Sequence, residues 1–486
     1  MAKDNMKVEK TSTGAIIHQP TLEVKRKALQ YFSLPDPQRE YFIYSGSDIN
    51  RRPLFGNEHD VLYISSGFLK IKDPIIDKLR LQSTRVTSRD GAPIQITMNR
   101  TPRSQLQVDC IKMMCETGYS KMTCEVKPGV GKTFMALSVI SQLGKKPLII
   151  APTALLKNQW IENFTDLGVD MGDIATRIYD GPNKKVCVVT ISAIENELRK
   201  DWEGLMHVLA RANYGIRITD EAHLHLKGVL KFDAIANIKR NYYLSATLGR
   251  SDEQEDDVLN RALLDADRFI GDKRYEEYQD EYINVYLQDI YYNASREICE
   301  QHFKYGKKGL ISATYYRMLM DYQHGKPFYA NAIRMVKIAQ KIKVQGKVLL
   351  LLPLLDAIAA IKEEMKKDPY FNQFSISCVD GSMKQSEKQE ALEKDIILST
   401  TMSMGTGVDV SNLGAVVNFD QKSSLIILEQ IVGRLRNRGF QTYYIDICDH
   451  VKYARAFENW GMKRRQYMPY FPGVSPKMKM LPKIVC

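Results

Sequence analysis

The chain has 486 residues, of which 44% are hydrophobic and 26% charged, and a formal net charge of +12. That length allows two to four domains with sizeable cores, and neither an eighteen-residue apolar run nor an apolar leader is present, so a soluble cytoplasmic protein is expected and a membrane partner is not. Eight cysteines without a Cys-x2-Cys pair speak against a zinc site and for free thiols, while the cationic excess favours polyanionic partners.

Residues 1–20 are polar, without periodicity, and are expected to fray. Between 22 and 97, short apolar runs alternate with turn signals. Segments 41–44 and 61–64 read as strands, 67–81 carries near-helical spacing, and 84–91 reads as a strand entering a turn. A small α+β domain over 1–100 is expected, either as an interaction module or as a packing appendage.

The next unit opens near Thr101. Gln105 carries an amide whose paired donor and acceptor suit an adenine edge, or is a plain surface residue. An apolar run then leads into Pro128, Gly129, Val130, Gly131, Lys132 and Thr133, followed by a helical pattern over 134–140. Strand, glycine turn, Gly-Lys-Thr and helix is an arrangement that cradles phosphates. The turn aims backbone N–H groups inward, and the helix start adds positive charge. Lys132 would sit between the β- and γ-phosphates, and the Thr133 hydroxyl would hold Mg²⁺. Val126 stands where the first glycine of the full phosphate-loop pattern belongs.

Apolar strands alternating with helices follow: 147–150, 185–190, 214–219 and 240–244. They imply a parallel sheet whose carboxyl ends collect function. Those ends carry Thr153; Thr190 and Ser192; Asp220, Glu221 and His223; and Ser245 and Thr247. Asp220 would hold Mg²⁺ through its water shell, and Glu221 would polarise an attacking water. His223 would couple to Ser245 or Gln430, or is a plain polar residue.

The run 252–257 reads as a solvated acidic loop. Residues 266–330 are expected to be a linker with a basic helical segment. Residues 301–350 hold ten Lys/Arg and one acidic side chain, with Tyr305, Tyr315, Tyr316, Tyr322 and Tyr329 interleaved. That mixture suits single strands, where bases stack on rings and amines track phosphates, or else marks helix faces packed on a neighbour. A second βα series follows over 331–460, with strands at 347–352, 376–379, 394–398, 415–419 and 442–445. It has no phosphate loop but carries Thr401, Gly407, Asp409, Gln430, Arg434 and Arg436 at site-like positions. The basic tail 461–486 has six cations and no acid. With the phosphate loop on a unit at 101–265 and arginines on the second, ATP is expected in a cleft between them, with an arginine finger in cis.

The order of these clusters resembles superfamily 2 helicases of the DEAH-box kind. The resemblance spans roughly 101–450 and implies two tandem RecA-like parallel-sheet α/β domains behind the small α+β module. Residues 127–133 match the family's phosphate loop, which often lacks the first glycine. Thr153, Thr190 and Ser192 match its nucleic-acid-gripping motifs, and Asp220, Glu221, Ala222 and His223 its DEAH box. Ser245 to Thr247 match its coupling motif, Thr401 to Asp409 the motif touching nucleic acid and ribose, and Gln430 to Arg436 the arginine-finger motif. The last motif departs from the family pattern: position 437 is Asn, so Arg434 is the finger and Arg436 stands beside the expected place of its companion. Compact length and the element spanning 64–69 and 85–91 look like phage branch-migration helicases of the UvsW kind. That likeness implies ATP and Mg²⁺ as cofactors, branched or forked DNA as partner, RNA within R-loops, a duplex-gripping N-terminal module and a monomer in isolation. An RNA helicase, a transcript-release ATPase or the double-strand translocase subunit of a restriction-type assembly are the competing expectations.

Overall fold

The computed structural model describes residues 6–35, 51–53, 55–58, 60–116, 120–246, 248, 253–306, 309–404, 410–422, 424–437 and 439–486. The chain divides into two compact units, Met1–Asp272 and Lys273–Cys486.

The first unit is built on a seven-stranded sheet. Its order is Ile174–Ala175, Val186–Thr190, Pro147–Ala151, Ile216–Thr219, Arg240–Ser245, Lys121–Glu125 and Asp267–Ile270. Every pairing is parallel. Pro147–Ala151 and Ile216–Thr219 are buried at every position, as strands covered by helices on both faces must be. Register aligns the strand ends: Thr190 lies opposite Ala151, and Ser245 opposite Glu125. The polar residues that follow each strand therefore share one edge.

Residues 6–20, expected to fray, are ordered into strands. Lys7–Lys10 and Gly14–His18 pair antiparallel and join Val61–Ser65 and Gly56–Glu58, with Thr84–Arg85 added in parallel. The apolar content that drives this, Val8, Ala15 and Ile17, is too sparse to show a period, yet all three are buried. Their core is shared with the parallel-sheet domain, because Ile194, Leu198, Trp202 and Ile235 belong to the same cluster. Trp202 stacks on Tyr63 with centroids 5.4 Å apart. Two glycines permit the close approach: a Cβ on Gly14 would come 2.2 Å from the Ala234 carbonyl oxygen, and one on Gly67 would come 2.1 Å from that of Arg261. Lys121, fully buried at the start of the phosphate-loop strand, donates to Ser65 Oγ and the Ala262 carbonyl and pairs with Asp265 at 3.1 Å. This face of the module packs against its neighbour, as an appendage would. Near-helical spacing over 67–81 resolves into a 3₁₀ turn, Ser66–Lys70, and a helix, Pro74–Gln82, capped by Asp73. The expected strand at 41–44 lies outside the described residues. The acidic run 252–257 is not a loop: from Glu253 it forms the first half of a helix, Glu253–Ala262.

The second unit carries an all-parallel sheet in the order Ile376–Val379, Ile396–Thr400, Lys347–Leu352, Leu413–Asn418, Thr442–Val451, Ile283–Tyr292 and Lys479–Met480, with Ile484–Val485 also on Ile283–Tyr292. Two expectations need correction here. Residues 266–330 are not a linker: Asp267–Ile270 closes the first sheet, and Ile283–Tyr292 pairs along ten residues with Thr442–Val451. Tyr315, Tyr316 and Tyr322 of the basic segment are buried in this unit's core rather than offered to bases. Nor is 461–486 a free basic tail. Arg464 and Arg465 lie on the helix Arg455–Tyr467, buried against Asp446 at 2.7 and 2.9 Å, and Arg465 also reaches Asp289 at 2.6 Å. A sequence count of cations cannot tell a solvated charge from a paired one.

Candidate nucleotide and nucleic-acid site

The phosphate loop follows Lys121–Glu125 and ends at the helix Lys132–Leu143. Gly129 and Gly131 adopt left-handed φ of 84° and 99°, which a residue with a Cβ rarely accepts. Gly131 is the helix N-cap and has no side chain to satisfy the first N–H groups, so they remain available for an anion. Pro128, Val130 and Thr133 complete the turn, with Val130 buried and Thr133 half-buried at the helix start.

Lys132 Nζ donates to the Val126 carbonyl at 3.3 Å and lies 3.7 Å from Glu221 Oε1. Both side chains are partly exposed, so this contact is weak and exchangeable for a phosphate oxygen. Glu221 itself has φ of 44°, a strained position for a non-glycine residue of the kind found at working sites. Asp220 is buried; its Oδ2 accepts from Trp160 Nε1 at 2.9 Å and its Oδ1 from the Glu221 backbone N–H at 3.0 Å. Burial, and then the neighbouring Glu221 charge, push the Asp220 carboxyl up to about 6. Among the described residues no lysine or arginine forms an ion pair with it. A buried carboxylate short of positive charge, beside a second carboxylate, is a pair of hard oxygen donors that suits a divalent cation. His223, also buried, places Nδ1 2.7 Å from Ser245 Oγ and 3.5 Å from Glu221 Oε2. Ser245 in turn accepts from the Val126 N–H at its carbonyl, 3.1 Å away. A chain of contacts thus runs from Glu221 through His223 and Ser245 to the root of the phosphate loop. Thr247 lies outside the described residues.

Gln105 does not approach the loop: its amide donates to Asp109 Oδ1 at 2.7 Å on an exposed helix face. Two residues on, Gln107 does. It is buried, donates to the Val130 carbonyl at 2.6 Å and accepts from the Arg103 N–H at 2.9 Å, while Arg103 reaches the Gly129 carbonyl. The helix Gln105–Cys115 turns position 107 inward with Leu106, Cys110, Ile111 and Met114. A glutamine on an otherwise apolar face was the signal for it. Trp160 and Arg103 had no such signal.

Thr153 and Thr190 cap the helices Ala154–Asp166 and Ile191–Lys200, each hydroxyl accepting a backbone N–H at 3.3 Å. They end adjacent strands and stand on the same edge as Asp220; Ser192 is exposed beside them.

In the second unit, Thr401 opens a short helix, Thr401–Met404, at the carboxyl end of Ile396–Thr400. Its hydroxyl is buried and has no hydrogen-bond partner among the described residues. Gln430 is half-buried on the helix Leu425–Val432, and Arg434 and Arg436 are half-buried just past it. Arg434 donates to the Met404 carbonyl at 3.2 Å, and Lys388, unnoticed in the sequence, donates to that of Ser403 at 2.9 Å. Both cations hold the turn that precedes Gly407 and Asp409, which lie outside the described residues.

Comparison with known proteins agrees with this geometry. Residues 97–250 match the family described as Type III restriction enzyme, res subunit, and 331–439 match the helicase conserved C-terminal domain, together more than half of the chain. The chain is 29% identical over 135 residues to a Halobacterium salinarum protein named putative DNA 3'-5' helicase Rad25, covering 27% of this chain and 21% of that one. It is 29% identical over 188 residues to the putative ATP-dependent RNA helicase QP509L of African swine fever virus, covering 36% of each. It is also similar to the crystal structure of T4 UvsW, at 16% identity and a TM-score of 0.37, over 98% of this chain and 99% of that one. The chain thus spans about a fifth to a third of the length of these curated relatives. Two RecA-like parallel sheets, a phosphate loop facing a paired carboxylate, and both family matches make this chain a member of the superfamily 2 helicases.

Proposed function

We propose that the protein is an ATP-dependent DNA helicase or translocase that remodels branched DNA such as forks, Holliday junctions and R-loops. The observation that carries the ATPase reading is the meeting of Lys132, Asp220 and Glu221 at one strand edge beside a glycine turn. Thr133 and Asp220 would hold Mg²⁺, which when bound neutralises phosphate charge. Lys132 exchanges its contact with Glu221 for the β- and γ-phosphates of the substrate. Glu221 is then free to orient a water and accept its proton. Arg434, with Arg436 beside it, would act as the arginine finger, and Gln430 as a neutral hydrogen-bonding residue. His223 and Ser245 sense Glu221, and Thr153, Thr190, Ser192 and Thr401 hold phosphodiester, so that nucleotide state and grip are linked.

Branched DNA as substrate rests on the expected likeness to phage branch-migration helicases. An RNA substrate is the second reading, favoured by the viral relative whose name describes an RNA helicase. ATP turnover and unwinding, measured side by side on forked DNA, Holliday junctions, R-loops and duplex RNA, separate them. The DNA reading expects stimulation by the branched DNAs above duplex RNA; the reverse order overturns it.

A further inference from the structure

The second unit has a groove built on the basic aromatic segment, apart from the strand-end motifs named above. Its floor is one stripe of the helix Lys326–Ile342: Lys326, Tyr329, Ala330, Ile333, Arg334 and Lys337, spaced so that they share a face. Glu364, Lys367 and Asp368 form the opposite wall, and the cavity measures about 770 Å³. Two of its cations are neutralised: Lys337 pairs with Asp368, and Lys367 with Glu364 at 2.6 Å. The other two, Lys326 and Arg334, are exposed and form no ion pair among the described residues. Eight residues separate them, about 12 Å along a helix at 1.5 Å per residue. Tyr329 stands between them in sequence on the same stripe, half-buried, with its ring against Gly325 at the helix start. The helix also starts at Gly325, with no side-chain cap on its first N–H groups, which adds partial positive charge at the Lys326 end.

Two unneutralised cations and an aromatic ring along one groove open to solvent match a single strand's alternation of phosphate and base. An acidic peptide would use the cations but leave the ring without a role. We propose that this groove is a second polynucleotide-binding surface, in which Lys326 and Arg334 hold phosphates of one strand and a base stacks on Tyr329. The proposal rests on the helicase reading and extends it: the basic aromatic segment keeps a nucleic-acid role through one tyrosine, after its other buried tyrosines are assigned to the core.

The test is fluorescence anisotropy of a labelled oligothymidine 20-mer on the full chain, across a series of KCl concentrations. Replacing both Lys326→Ala and Arg334→Ala should lower the slope of log K against log salt by about 1.4, at roughly 0.7 per single-strand phosphate contact. Tyr329→Leu should weaken binding roughly fivefold or more with the slope unchanged. Unchanged slope and affinity in the double variant overturn the proposal. Isothermal titration with ATP distinguishes the source of the phosphate: the double variant should bind ATP as the wild type does, and a loss there would make the groove a small-anion site instead. ATP turnover without polynucleotide should be the same in both proteins. Its absence from the wild type contradicts the helicase reading, while the slope comparison still decides the groove.

Discussion

Two buried aspartates, one in each unit, show how differently the same side chain is used. Asp446 in the second unit is enclosed by Arg464 and Arg465, whose guanidinium groups pair with both of its oxygens. Asp220 in the first unit is also buried, but among the described residues it receives neutral donors alone, from Trp160 and its own next residue, and it stands beside a second acid. Burial penalises both charges. In the second unit the penalty is offset within the protein, and the result is architecture. In the first it is left standing, and the Asp220 carboxyl rises to about 6. An incompletely compensated charge at a strand end leaves room for the ligand cation proposed there; a compensated one ties a helix to a sheet.

Substitutions on the two sides should therefore fail in different assays. On the site side, Lys132→Ala removes the cation facing the phosphates. ATP turnover should fall by 10²-fold or more, on the order of 3 kcal/mol of transition-state stabilisation, while the melting temperature stays near wild type. Turnover near normal in a steady-state phosphate-release assay would reject the site. Replacing Arg465 with Met strands Asp446 and Asp289 with one cation fewer. Breaking a buried pair of this kind costs about 3–5 kcal/mol. Thermal unfolding should show a large loss of stability, with ATP affinity of the folded fraction retained. If instead Arg465→Met unfolds no sooner and loses only turnover, the pair is functional and the contrast collapses.

A smaller effect separates the units by pH. Burial alone would lower the His450 pKa, but its contacts with Asp289 and Cys448 outweigh that and hold it at about 10. A histidine whose folded pKa exceeds its unfolded value near 6.5 stabilises fully below that value, and its contribution disappears as pH rises towards 10. Stability should thus decline between about pH 7 and 10, and His450→Gln should flatten that decline in pH-dependent melting curves. Smallest of all, Gln105→Ala should leave ATP affinity within about twofold, whereas Gln107→Ala leaves the Val130 carbonyl without its partner and should weaken affinity measurably; equal effects would mean the helix face has been misassigned.

The two sheets were legible because buried parallel strands are continuous apolar runs, and the edge they share follows from βα alternation. Phosphate loop and paired acids were legible because the first joins a strand to a helix through glycines and Gly-Lys-Thr, and the second follows an apolar strand downstream of it. What escaped depends on long-range contact. Val8, Ala15 and Ile17 are too few to signal strands until they meet the helix Leu226–Ala236. Arg464 and Arg465 read as a solvated tail because their partner, Asp446, is a strand residue with no local tie to them. Trp160 carries no signal in the sequence, and its N–H at Asp220 is visible only in three dimensions. Gln105 and Gln107 differ by two positions, and helix phase, set by where Ser104 caps, decides between them.

The central claim is that ATP held at Lys132 is cleaved with Glu221 as the proton acceptor and that DNA drives this turnover. It is tested most directly by Glu221→Gln, comparing ATP binding with phosphate release in the presence and absence of forked DNA. The account predicts wild-type ATP affinity, strong DNA stimulation of the wild type, and stalled turnover in the variant with or without DNA. Loss of ATP binding in the variant, or turnover that persists without the carboxylate, would contradict it.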